Sequence, residues 1–299
     1  MQMRLHGAHT GLSLIEVVVV VTLLGLIGGA VASALLHQLR FAGDTADLID
    51  ARNGVRDVIE VISTDIRGSS PADTIRLMAD SAFELFASVG VSVVCGAATA
   101  TSLALADESA SGNTLTSFLV HPDTGDLALI YSDSADAVGS RWQRHRIAGF
   151  ATRPWAASCL PGSAGPNEGF AVTLHAAPGP VKRGTPIRFL RRARYSLYKS
   201  SDRAWYLGYR RCNALGTSVC GAIQPVSGPY RAYSADPAKT GLLFTYFDAR
   251  GDRVEIGFPL SVVRADITAR APRLKRRLLG NSVTSIPPFA QRSVAIRNR

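Results

Sequence analysis

Residues Leu12 to Leu36 read LSLIEVVVVVTLLGLIGGAVASALL. At roughly 1.5 Å of rise per residue, a helix of this length crosses a hydrocarbon core of about 30 Å. It is too long for the apolar core of an ordinary secretory signal, and although Ala30, Ala32 and Ala34 mimic a small-residue cleavage site, the apolar run continues past them. One ionisable group, Glu16, stands near the N-terminal edge. Buried in lipid without a cation it would cost a few kcal/mol, on the order of 2–4. The bland account places it at the membrane interface, where the helix N-terminal amides favour a negative charge. Gly25 and Gly29 form a GxxxG, and Ala30 with Ala34 repeats the spacing of small residues that lets helices approach closely; the same pattern arises by chance in Gly- and Ala-rich spans.

The string Gly11-Leu12-Ser13-Leu14-Ile15-Glu16, preceded by a short polar leader with Arg4, His6 and His9, resembles the N-terminus of the type IV pilin and type II secretion pseudopilin superfamily. In that family a glycine precedes the cut, and the mature chain opens with an apolar residue, a small hydroxyl, two aliphatics and a glutamate. Here Leu12 stands where Phe or Met is commoner and Ser13 where Thr is commoner. The resemblance implies cleavage between Gly11 and Leu12 by a prepilin peptidase and N-methylation of Leu12. It also gives Glu16 the task of registering the subunit against the terminal amine of a neighbour. Ser33 occupies a position where major pilins often carry a kinking proline, so a bend would fall to Gly28 and Gly29.

Beyond Leu36, Leu39, Leu48, Ile49, Val55, Val58, Ile59, Ile62 and Ile66 recur at spacings near three and four, between charged residues. The spacing predicts an amphipathic continuation ending at Gly68-Ser69-Ser70-Pro71, for a helix of roughly 85 Å from Leu12. After Pro71 short alternating runs predict antiparallel strands at 88–94, 114–120, 127–131, 170–175, 191–198, 205–210, 242–247, 254–258 and 262–270. In the last, Val263, Ala265, Ile267 and Ala269 are expected to face the core, and Arg264, Asp266, Thr268 and Arg270 water. The expected class is α+β: a long N-terminal helix packed on an antiparallel β-sheet head, pilin-like. The expected order is a leader 1–11, a transmembrane or filament-core helix 12–36, its amphipathic continuation 37–70, a β-rich periplasmic head 71–275 and a basic C-terminal segment 276–299.

The chain has 299 residues and a formal charge of +10, with the Lys and Arg surplus in its C-terminal half. Four cysteines, Cys95, Cys159, Cys212 and Cys220, show no CxxC spacing of a zinc knuckle or redox pair. If they lie outside the cytoplasm, disulfides follow; three pairings exist, of which Cys212 with Cys220 closes a short loop, and buried free thiols are the alternative. No catalytic or cofactor motif occurs, the six histidines are scattered, and no metal site or cofactor is expected. Asp248 and Asp252 around Gly251 read as a hairpin turn rather than a calcium loop. Lys182, Arg183, Arg188, Arg191, Arg192 and Arg194, followed by Tyr195, Tyr198, Trp205, Tyr206 and Tyr209, could hold nucleic acid; period-2 alternation instead makes the aromatics core and the arginines solvated. Arg273, Lys275, Arg276 and Arg277 read as a loop or tail.

The last strand region, with Phe244-Thr245-Tyr246-Phe247-Asp248 and the terminal run from Phe289 to Asn298, resembles the larger minor pilins of the PilW type and the J-type pseudopilins. The resemblance implies a structural subunit and no enzyme: a minor pilin that helps initiate a type IV pilus, or a J-type pseudopilin of type II secretion. A membrane-tethered binding module for DNA or a surface ligand is the alternative of another class. Implied partners are the prepilin peptidase, other pilins or pseudopilins and an inner-membrane assembly platform. The leader would be cytoplasmic and the head periplasmic, although Arg4 is the only firm cation of the leader and Arg40 lies on the other side.

Overall fold

The computed structural model describes residues 13–69, 77–97, 99–106, 115–132, 141–155, 167–213, 219–256, 262–272, 275–278, 281–284 and 288–296. The chain divides into two compact units, Met1–Asp50 with Leu274–Thr284, and Ala51–Arg273 with Ser285–Arg299. One helix, α1 (Leu14–Gly68), contributes to both. The strands are β1 (Leu77–Met78), β2 (Ala82–Ala97), β3 (Ser102–Ala106), β4 (Ser117–Phe118), β5 (Leu127–Ser132), β6 (Arg141–Trp155), β7 (Asn167–Leu174), β8 (Pro186–Lys199), β9 (Trp205–Arg211), β10 (Gln224–Tyr230), β11 (Leu242–Phe247), β12 (Arg264–Arg270), β13 (Lys275–Leu278), β14 (Asn281–Thr284) and β15 (Phe289–Ala295). The class is therefore α+β, with strand dominating.

In the first unit α1 opens on Ser13, whose carbonyl accepts the N–H groups of Glu16 and Val17 at 3.0 and 3.2 Å. No side chain between Leu14 and Asp50 is buried. The hairpin β13–β14 belongs to this unit, with Lys275 opposite Thr284 and Leu278 opposite Asn281. Lys275, Arg276 and Arg277 thus lie in a strand, not in the expected loop or tail. A run of cations hides a strand, because period-2 reading depends on apolar residues.

In the second unit the amphipathic part of α1 buries Val55, Val58, Ile59, Ile62 and Ile66. Each such burial contributes about 1.5–3 kcal/mol. The helix stops where the sequence pattern ends it: the Ser69 N–H donates to Asp65 O at 3.0 Å and the Ser69 hydroxyl to Ile66 O at 2.6 Å. Polar contacts fix its seat. Tyr230 OH donates to Gly54 O at 2.7 Å, and a Cβ at Gly54 would meet Gly228 O of β10 at 3.4 Å, an ordinary contact. Tyr195 OH, from β8, donates to the Asp65 carboxylate.

The sheet is not an open one. β2 pairs with β3, β3 with β7, β7 with β6, β6 with β5, β5 with β8 and β8 again with β2, all antiparallel, so six strands close a small barrel. Register shifts fall between Ser88 and Gly90 and between Val94 and Gly96 in β2, and between Ile147 and Gly149 in β6. Bulges with glycine let strands turn the corners that closure demands. Alternate residues, among them Leu105, Ile130, Ile147, Val172, Ile187 and Phe189, fill the interior as one core. Along β8 the same face carries Ile187 and Phe189 into the barrel and then Tyr195 towards α1, so one strand serves two cores.

A second sheet runs β11-β12-β15. Ala265, Ile267 and Ala269 are buried as expected, but so is Thr268, and Arg264 lies over the Phe247 ring at 4.1 Å from its centroid. The expected strand at 254–258 is not found in its described part: after Arg253 bridges Phe247 and the Val254 N–H reaches Tyr246 O, the chain turns at Ile256. The expected basic C-terminal segment is largely structural, since β15 pairs with β12 along its whole length.

Burial raises the Asp65 carboxyl above its ordinary value of 3.8, against the lowering effect of the Tyr195 hydroxyl. A raised acid favours the folded state in its protonated form, so its contribution is full below the ordinary value and is lost as pH rises through the raised one. Asp65→Asn, which keeps an acceptor for Tyr195, should therefore raise the unfolding midpoint at pH 7 relative to the parent, with the difference shrinking as pH falls towards 4 (about the ordinary carboxylate value). Thermal denaturation of both proteins across that range checks this.

Candidate functional site

The apolar half of α1 forms a continuous exposed apolar surface. Leu14, Ile15, Leu24, Leu26, Ile27 and Leu36 are all exposed, Leu26 by 72 %. This is the single helix among the described residues that is long and apolar enough to cross a membrane. Polar groups in it are sparse. The Thr22 hydroxyl is satisfied within the helix, donating to Val19 O at 2.9 Å. Glu16, exposed in the first turn, is the one ionisable side chain between Leu14 and Leu36. A Cβ placed on Gly25, Gly28 or Gly29 would meet nothing within 4 Å, so the GxxxG face is open to whatever packs there. Gly11 and Leu12 lie outside the described residues, as do Cys159, Arg273 and Pro71.

The basic stretch departs from its expectation. Arg192 and Arg194 grip one carboxylate: Arg192 Nε donates to Glu84 Oε1, and Arg194 Nε and Nη2 donate to Glu84 Oε2 at 2.9 and 2.7 Å. Glu84 is 1 % and Arg192 3 % exposed, so this is a buried triad, not a solvated face. A second acid, buried Asp126, accepts from Arg191 Nη2 at 2.7 Å and from Arg211 Nη2 at 3.1 Å. Arg211 also holds exposed Asp123, whose carboxyl it pulls below the usual range by hydrogen bonding. Of the aromatics, Tyr195 is buried, stacked on Phe83 at 5.3 Å, while Tyr198, Trp205, Tyr206 and Tyr209 are half-buried. Nothing in the sequence around Glu84 and Asp126 signals this pairing beyond an acid beside an apolar run in each case.

Cys212 and Cys220 form a disulfide, which joins the end of β9 to the returning chain. Cys95 is disulfide-bonded as well. Glu84, Cys212 and Cys220 lie close enough to resemble a metal cluster, but both sulfurs are spent in the disulfide and both carboxylate oxygens in the triad. Asp248 and Asp252 make a turn: Asp248 Oδ1 accepts the N–H groups of Arg250 and Asp252 at 2.8 and 2.9 Å, and Gly251 supplies a φ of 88°. A cavity of about 520 Å³ is lined by Asp80, Tyr246, Arg253 and Glu255. Asp80 there already accepts the Ser81 and Tyr233 hydroxyls.

No family model, curated protein or solved structure matches the chain. The site's reading therefore rests on its own chemistry.

Removing the acid from the buried triad leaves two arginines without their counter-charge. Glu84→Ala should cost about 3–5 kcal/mol of stability. Urea unfolding followed by far-ultraviolet circular dichroism measures the loss.

Proposed function

We propose that the chain is a structural, minor pilin-like subunit of an envelope filament, made as a prepilin and inserted through the apolar half of α1. The observation that carries this reading is the sequence Gly11 to Glu16 ahead of a helix whose first half, Leu14 to Leu36, exposes a long run of apolar side chains and holds one ionisable group, Glu16. Such a surface needs lipid before assembly and neighbouring helices after it. In that reading a peptidase removes residues 1–11 and frees the amine of Leu12, and Glu16 finds its counter-charge on the amine of the adjacent subunit. The carboxylate is costly in lipid and compensated only in register, which makes it a check on assembly. Gly25 and Gly29 give the neighbouring helix room. The leader lies in the cytoplasm, the span in the inner membrane and the β-rich unit in the periplasm, a compartment in which disulfides persist.

The subunit helps start a type IV pilus, a role suited to a chain longer than a typical major pilin; the same parts would serve a J-type pseudopilin in a secretion filament. Its arginines speak against a nucleic-acid surface centred on residues 191–211, because Arg191, Arg192, Arg194 and Arg211 are occupied by Glu84, Asp126 and Asp123.

The test uses the full chain, epitope-tagged at its C-terminus, in a host that assembles the filament. The parent should be recovered in sheared filaments. Glu16→Ala should be cut normally yet drop at least tenfold in the filament fraction while accumulating in the inner membrane. Equal incorporation of Glu16→Ala and parent would contradict the role given to Glu16, and absence of the parent from filaments would contradict the function.

A further inference from the structure

The described sheet edges are treated unequally. β10, at one end of the ten-stranded sheet, carries Pro225 and Pro229 and two register shifts against β9. The free side of β11 is used by local chain: the Phe244 N–H donates to Asp80 O at 2.7 Å and Tyr246 O accepts the Val254 N–H at 2.9 Å. Prolines, bulges and covering segments are the ordinary means of closing an edge to other chains. Among the described residues, β15 has none of them. It runs seven residues against β12 without a register shift and contains no proline.

The ladder phase tells which of its peptide groups face outward. At one end the Ile296 N–H donates to Val263 O at 2.9 Å, and at the other the Ala271 N–H donates to Pro288 O at 3.0 Å. Both bonds belong to the same register, so Ala290, Arg292 and Val294 exchange bonds with β12. Phe289, Gln291, Ser293 and Ala295 turn their N–H and C=O groups outward, and all four are exposed, Phe289 by 65 %.

We propose that β15 is a docking edge that accepts an extended strand from a different polypeptide, with an acidic residue set opposite Arg292. Main-chain bonds to Phe289, Gln291, Ser293 and Ala295 supply affinity, and side-chain pairing supplies choice. A second copy of the chain is the poorer occupant. If two β15 strands paired antiparallel over their full length, each outward residue would meet an outward residue and Arg292 would stand directly opposite Arg292. Like charges in opposed positions destabilise a pair. An acid in that place does the reverse, and an apolar residue near Phe289 covers the exposed ring. This inference does not depend on the filament reading.

The test is a titration of the full-length protein in detergent micelles with a capped seven-residue peptide alternating threonine and valine around a central glutamate, followed by fluorescence anisotropy. Saturable binding is expected. A peptide N-methylated at the amides that would bond β15 should bind at least tenfold more weakly, and one with lysine at its centre several-fold more weakly. Ser293→Pro removes an outward donor and no ladder bond. It should abolish binding while Ser293→Ala preserves it, with unchanged unfolding midpoints. Absence of binding by the glutamate peptide, or binding indifferent to N-methylation, overturns the proposal even if Ser293→Pro fails to fold. Self-association that Ser293→Pro removes would assign the edge to a second copy and overturn the heterologous strand.

Discussion

The burial of Val55, Val58, Ile59, Ile62 and Ile66 in a helix whose first 37 residues bury nothing is the constraint on which the rest depends. One helix carries two unlike surfaces. Its second half repeats apolar residues on one stripe and meets a β-rich core, with Asp65 and Gly54 bonded to tyrosines of β8 and β10. Its first half is apolar all round, and such a helix belongs in lipid or among other helices. Among the described residues, the stretch from Leu14 to Leu36 leaves about 20 apolar residues exposed, the length a bilayer needs.

Holding that helix requires a firm platform, and two devices provide one. The barrel closes at Gly90, Gly96 and Gly149, where bulges let β2 and β6 turn. Glu84 collects two arginines from β8, and Asp126 one from β8 and one from β9. These clamps tie β2 to β8 and the start of β5 to β8 and β9, Phe83 of β2 stacks on Tyr195 of β8, and the disulfide Cys212–Cys220 closes the end of β9. Buried charge of this kind is weak evidence for net stability but strongly penalises any partner's removal.

Much of this was legible in residues whose period is set by burial. The helix ends at Gly68 because apolar spacing stops there and Ser69 caps it. The strands at 127–132, 205–211 and 242–247 announce themselves by alternation or aromatic content. Barrel closure leaves no periodic signal of its own, though isolated glycines in β2 and β6 mark where strands can bulge. β6 is hidden in the sequence because Arg141, Arg144, His145 and Arg146 mask its period, and β13 for the same reason. The arginines of β8 looked solvated because their acids lie 65 and 108 residues away in sequence, a distance at which one chain alone gives no pairing signal.

The central claim is that the apolar helix is freed by a cut at Gly11 for use in an assembly. Intact-mass analysis of the N-terminus after co-expression with a prepilin peptidase tests it most directly, with Gly11→Ala as the control. The account predicts a chain that begins at Leu12 and carries one added methyl group, and a Gly11→Ala chain left uncut. A parent chain that keeps its first eleven residues, or one cut near Ala34, would contradict it.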